Sequence, residues 1–191
     1  VSVPGIINGF NPWTAWGPTN GTTDVLDFYE IEFENETSNR YRYKEGWRQA
    51  DVRTEVLLLK SGRQKKIQVV KTHLGYIMHR EGRLGLAANW MGHRTGNELK
   101  ALRNLYEKKN FKDCMDGLEP WYAPIQNFIC VDRKNIAIQH TGSIPKRDIG
   151  VGRFVMDGRS ADNPFLERIP KEWQPRLVNP ASGYVQSANQ K

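Results

Sequence analysis

Between Val25 and His79 the chain alternates short β-rich runs with glycine-marked breaks. A segment cut this often cannot build long helices, and the cadence predicts hairpins. The runs are residues 25–33 (VLDFYEIEF), 41–43 (YRY), 53–59 (RTEVLLL), 66–72 (KIQVVKT) and 76–79 (YIMH), with Gly46 and Ser61-Gly62 between them and Gly82 after the last. In residues 26–33 the alternation is imperfect but β-enriched, so one side of that strand is expected to face a core.

The period then changes. Leu99, Leu102, Leu105 and Tyr106 recur at helical spacing, with Asn97 or Thr95 placed to cap the helix start. A second short helix is predicted over residues 110–118, ending before Pro120. Residues 127–131 and 135–139 read as strands around an Asp132-Arg133-Lys134 turn. Beyond them Pro145, Pro164, Pro170, Pro175 and Pro180 forbid long regular elements. The fold class is α+β, in one domain or one domain with an insertion, and 191 residues suffice to bury a real core.

Charge allows a rival reading. Lys and Arg number 28 against 21 Asp and Glu, a net charge of +7. Residues 60–71 (KSGRQKKIQVVK) are the densest basic cluster, and a basic module holding nucleic acid or an acidic surface would use such a patch. Its place between two strand-like runs favours a hairpin turn with a solvated face. No apolar run approaches the roughly eighteen residues of a membrane span. The first residues, VSVPGIINGFNPW, lack the charged and apolar regions of a secretory signal. Cys114 and Cys130 allow one bridge, but two buried free thiols are the expectation. His73, His79, His93 and His140 show no metal-ligand spacing, and Gly75 breaks any strand that would align His73 with His79. Asn20-Gly21-Thr22 and Asn35-Glu36-Thr37 are formal glycosylation sequons.

Six strings in order carry more information than any of these. They are Pro4-Gly5-Ile6-Ile7-Asn8-Gly9-Phe10-Asn11; Thr14-Ala15-Trp16-Gly17-Pro18-Thr19-Asn20 with Asp24-Val25-Leu26-Asp27-Phe28-Tyr29; residues 41–55 (YRYKEGWRQADVRTE); Pro124-Ile125-Gln126-Asn127-Phe128; His140-Thr141-Gly142-Ser143-Ile144-Pro145; and residues 175–184 (PRLVNPASGY) with Ala188-Asn189. Together they resemble an internal stretch of the β-subunit of the penicillin amidase family of N-terminal-nucleophile hydrolases. The resemblance implies part of an αββα fold: residues 1–33 as the start of the hydrolase core, 34–90 as a β-hairpin-rich insertion, and 91–191 as helices with the remaining core strands and loops.

The resemblance also implies a chemistry. Such enzymes hydrolyse a linear amide, a penicillin or an N-acyl homoserine lactone for example, through a Ser, Cys or Thr at the β-subunit N-terminus. The nucleophile is expected to lie outside this chain; Ser2 corresponds to an internal strand. The family's active-site arginine is expected after Lys191, and Gln190 replaces the second Asn of its motif. Asn20, through its backbone N–H, and Asn189, through its side-chain amide, are the implied oxyanion donors. An amide suits that task because it donates without adding a charge that would overbind the product carboxylate. Asp24, the Leu26 carbonyl and Asp27 match the family's calcium turn, since a hard cation takes oxygen ligands. Asn8 and Thr22 stand where acylases for aromatic side chains tend to have Phe, which argues against phenylacetyl as the preferred acyl group. The implied partners are the other segments of the same enzyme, including the α-subunit and the β-subunit N-terminus, and the implied compartment is extracytoplasmic. The isolated chain is expected to be inactive.

Overall fold

A computed structural model describes residues 5–148, 151–162, 165 and 167–189. Ser2 and Gln190 lie outside them. In chain order the elements are β1 (Gly9–Phe10), β2 (Ala15–Asn20), β3 (Leu26–Glu32), β4 (Arg40–Tyr43), β5 (Gly46–Gln49), β6 (Asp51–Leu58), β7 (Gln64–Thr72), β8 (Gly75–Glu81), β9 (Leu84–Trp90), α1 (Glu98–Glu107), α2 (Phe111–Gly117), β10 (Gln126–Val131), β11 (Ile136–Thr141), β12 (Met156–Asp157) and β13 (Arg176–Val178). They form two compact units. One comprises Val1–Val25, Met91–Lys146 and Glu167–Lys191; the other comprises Leu26–Trp90 and Arg147–Leu166.

The first unit is built on an antiparallel sheet in the order β1-β2-β10-β11-β13. β1 covers β2 only at Ala15 and Trp16, so Pro18 sits where β2 has a single neighbouring strand, the position in which a proline is tolerated. Trp16, Phe128, Cys130 and Trp121 pack with Ala101, Leu102 and Leu105 of α1 and with Cys114 and Leu118. Burying side chains of this size stabilises by about 1.5–3 kcal/mol each. Leu99, expected on the buried face, is 55% exposed. At about 100° per residue it lies roughly 110° from the centre of the stripe that Ala101, Leu102 and Leu105 define, past its edge. Asn97 caps α1 without a side-chain bond, whereas the Asn110 side chain accepts from the Asp113 N–H at the start of α2. Cys114 and Cys130 form a disulfide, not the two thiols expected. α2 packs on β10, which brings the two Cα atoms to 6.2 Å, within bridging range.

The second unit is a sheet in the order β12-β3-β9-β8-β7-β6, with β4 and β5 as a separate hairpin. β3 alternates as a half-buried strand should: Asp27, Tyr29 and Ile31 point into the unit while Leu26, Phe28 and Glu30 point out. The expected basic hairpin is β6–β7, paired from Asp51↔Lys71 to Leu58↔Gln64 with Arg63 and Lys65 exposed. β9 is a strand that its sequence (LGLAANW) does not advertise, since it lacks β-branched residues. Its small residues are what the site needs: a Cβ on Gly85 would lie 2.8 Å from the Phe33 ring, and Ala87 is fully buried. His73 stacks on Tyr41, its Nδ1 lies 3.0 Å from the Tyr41 hydroxyl, and its Nε2 lies 3.0 Å from the Ala161 carbonyl. That environment makes it a structural histidine.

Candidate active site

β2 ends at Asn20 because the chain must leave the sheet at Gly21, whose N–H still donates to the Ile125 carbonyl at 3.0 Å. The register sets Asn20 opposite Gln126 and Thr19 opposite Asn127, and on the other side of β10 it sets Asn127 opposite His140. The two residues expected to bind an oxyanion meet here although they are 169 positions apart. The Asn20 N–H donates to Asn189 Oδ1 at 2.7 Å, with both residues solvent-exposed. As they stand, one group bonds the other; they do not share an outside acceptor. Asn189 has φ +56°, a left-handed conformation that Asn tolerates better than most residues.

A polar network runs behind this pair. Gln126 Nε2 donates to Asn20 Oδ1 at 3.3 Å. Asn127 Nδ2 donates to the Asn20 carbonyl at 3.3 Å and to Ser187 Oγ at 3.4 Å, and Ser187 is hydrogen-bonded to Thr19. His140 Nδ1 lies 2.6 Å from Asn127 Oδ1, and its Nε2 lies 2.7 Å from the Thr23 hydroxyl. Because Asn127 uses its nitrogen on Asn20 and Ser187, its oxygen faces the ring. His140 is therefore neutral with the proton on Nδ1, accepting from Thr23 at Nε2. No role for Asn127 or His140 in this network is legible without the cross-strand register.

Burial pushes the His140 and His73 imidazoles below the usual histidine value. The unfolded chain therefore binds a proton at a pH where the folded chain does not. The resulting stability is fully present above about pH 6.5 and is lost as pH falls through the lowered folded values. The urea midpoint should accordingly be lower at pH 5.5 than at pH 7.5. A midpoint that holds steady or rises on acidification would contradict two neutral half-buried rings.

The residues expected to bind calcium behave differently. Asp24 is exposed in the segment after β2, and Leu26 opens β3 opposite Trp90. Asp27 is wholly buried, and its Oδ1 accepts from Arg147 Nη2 at 2.8 Å. Arg147 also donates through Nη1 to the Val151 carbonyl at 3.2 Å and lies 5.1 Å from the centre of the Phe165 ring. Gly152 (φ +87°) makes room, because a Cβ there would stand 2.3 Å from both Arg147 Nη1 and Asp27 Oδ1. A guanidinium thus supplies the positive charge at Asp27. Among the described residues, no group of three or more His, Cys, Asp or Glu side chains is placed to hold a metal. Calcium wants six to eight oxygen ligands; here Asp27 gives one oxygen to Arg147, and by the family resemblance the rest of such a set comes from a later loop and the other subunit.

The penicillin amidase family model matches residues 1–191. Penicillin G acylase of Escherichia coli is 24% identical over 190 residues, covering 97% of this chain and 22% of that protein. Acyl-homoserine lactone acylase QuiP of Pseudomonas fluorescens is 24% identical over 198 residues, covering 100% of this chain and 24% of the relative. The solved thermostable penicillin G acylase of Alcaligenes faecalis superposes with a TM-score of 0.85 at 21% identity, over 100% of this chain and 35% of its own. That likeness shows that the chain shares its fold with part of that protein. The chain spans about a quarter of the curated relatives' length. With the family model matched from end to end, the chain belongs to the penicillin amidase family of hydrolases.

Proposed function

We propose that this chain is the internal β-subunit portion of an acylase that hydrolyses a linear amide, and that it supplies the oxyanion donors to a nucleophile carried on another segment. One observation carries the reading: Asn20 N–H and the Asn189 side chain, 169 residues apart, are in hydrogen-bond contact at an exposed strand end. Attack on an amide carbonyl builds negative charge on its oxygen, and preorganised donors at that point lower the barrier. In the resting arrangement Asn189 Oδ1 accepts at the Asn20 N–H, as an oxyanion would. Turning the Asn189 amide about χ2 replaces that oxygen with Nδ2, leaving two donors side by side for the substrate oxygen. The bond given up is an exposed one, worth about 1 kcal/mol.

The substrate is an N-acyl compound, with phenylacetyl not the preferred acyl group if Asn8 and Thr22 line its pocket. Asn8 and Thr22 are polar and exposed where an aromatic acyl group would call for Phe. The Cys114–Cys130 disulfide supports an extracytoplasmic site of action, since such bridges persist in oxidising compartments.

The test is a panel of N-acyl homoserine lactones and phenylacetyl amides offered to two samples. The complete polypeptide containing this segment should turn over the aliphatic substrates in preference to phenylacetyl amides. The 191-residue chain alone should stay at background, because covalent catalysis needs nucleophile and donors in one site. Robust turnover by the isolated chain would overturn the division of labour.

A further inference from the structure

We propose that His140 and Asn127 are positioning residues for the oxyanion donors, clamping the end of β2 and the segment at residues 187–189 into one arrangement; this rests on the oxyanion reading above. The clamp is a chain of contacts. Thr23 donates to His140 Nε2, His140 Nδ1 donates to Asn127 Oδ1, and Asn127 Nδ2 reaches both the Asn20 carbonyl and Ser187 Oγ. Ser187 in turn is bonded to Thr19, the residue before Asn20. Asn127 therefore touches both halves of the site, and the His140 N–H on its Oδ1 supports the amide orientation that those contacts require. Reversing that amide would set a donor against the ring N–H and an acceptor against the Asn20 carbonyl.

Steric evidence points the same way. A Cβ on Gly21 would lie 2.5 Å from His140 Cε1 and 3.0 Å from Nδ1. The imidazole thus lies directly against the backbone that follows Asn20, and only glycine admits it there. The ring packs on the strand end while its hydrogen bonds orient the amide that holds it. Neither His140 nor Asn127 touches the proposed oxyanion position, so their influence passes through the placement of Asn20 and Asn189.

A displacement of an oxyanion donor by about an ångström costs up to about 10²-fold in rate. In the complete acylase, His140→Phe and Asn127→Leu should each lower kcat about 10–100-fold while KM changes less than about twofold. His140→Gln, which keeps a donor and an acceptor, should recover part of the loss. Thr23→Val removes only the hydroxyl on Nε2 and serves as the variant least able to disturb folding; its kcat should fall several-fold. A second readout is independent of turnover. Hydrogen exchange at the Asn20 amide should accelerate in His140→Phe, while Phe128 and Ile129 in the adjoining ladder stay protected.

The outcomes separate the two readings. If Asn189→Ala costs its expected factor but His140→Phe, Asn127→Leu and Thr23→Val leave kcat within twofold, the clamp is wrong and the oxyanion assignment stands. If Asn189→Ala has no effect on kcat, the oxyanion reading fails, and exchange at Asn20 alone decides whether the clamp exists. Unchanged Asn20 exchange in His140→Phe overturns it.

Discussion

If the proposed oxyanion role holds, replacing Asn189 by Ala in the complete polypeptide should lower amide-hydrolysis kcat by about 10²–10³, with a much smaller change in KM. The asymmetry follows from when the bond is made. A ground-state amide carbonyl carries only partial charge and is already content with water or a weak donor. The tetrahedral intermediate carries a full negative charge, so a donor aimed at that point acts mainly in the transition state. Alanine deletes both the Nδ2 donor and the Oδ1 that now accepts from the Asn20 N–H. The fold should be indifferent: Asn189 is exposed and buries no apolar surface, so the urea midpoint should move little. Asn189→Asp makes a sharper control. It keeps the acceptor for Asn20 but puts a negative charge where an oxyanion must form, and it should be at least as damaging as alanine. A normal kcat in either variant would remove Asn189 from the mechanism.

Much of this site was legible as strings, and its physical reason was not. The run ending Thr19-Asn20 and the Ala188-Asn189 pair point to the two proposed donors, yet nothing in either string says that they touch. Their contact depends on how the segment at 187–189 returns to β2, a long-range property. His140 and Asn127 were invisible as a pair because they are 13 residues apart on different strands and meet only through antiparallel register. The disulfide was missed for a similar reason: a helix residue and a strand residue 16 positions apart show no periodic signal. β9 was hidden because burial under Phe33 selects Gly and Ala, residues that β propensity disfavours. By contrast α1, α2, β10 and β11 emerged near their expected bounds, since their patterns repeat within a few residues.

At the expected calcium turn the buried carboxylate of Asp27 is already paired with a guanidinium. Asp27 sits where the family's turn places a ligand, but the residue that neutralises it, Arg147, is 120 positions away. Arg147→Met should therefore be among the most destabilising substitutions in the second unit. Methionine keeps the aliphatic bulk against Phe165 and removes the guanidinium from a carboxylate with no solvent exposure. Breaking a buried pair from one side costs about 3–5 kcal/mol, because the remaining charge is left in a low-dielectric site. Asp27 in the variant then gains from holding a proton, so its folded pKa rises above the unfolded value near 3.9. The sign follows: the deficit relative to the parent should be full at neutral pH and shrink as pH falls through that raised value toward the unfolded one. Adding Asp27→Asn to Arg147→Met should recover much of the loss, since no charge remains to be compensated. Urea midpoints for the parent, both single variants and the double variant measure this cycle directly. If the guanidinium is the cation Asp27 relies on, millimolar calcium or a chelator should leave the parent midpoint unmoved, since only a ligand that binds the folded state stabilises it. A calcium-dependent rise in that midpoint, or an Arg147→Met cost below about 1 kcal/mol, would mean that the guanidinium is not the cation Asp27 relies on.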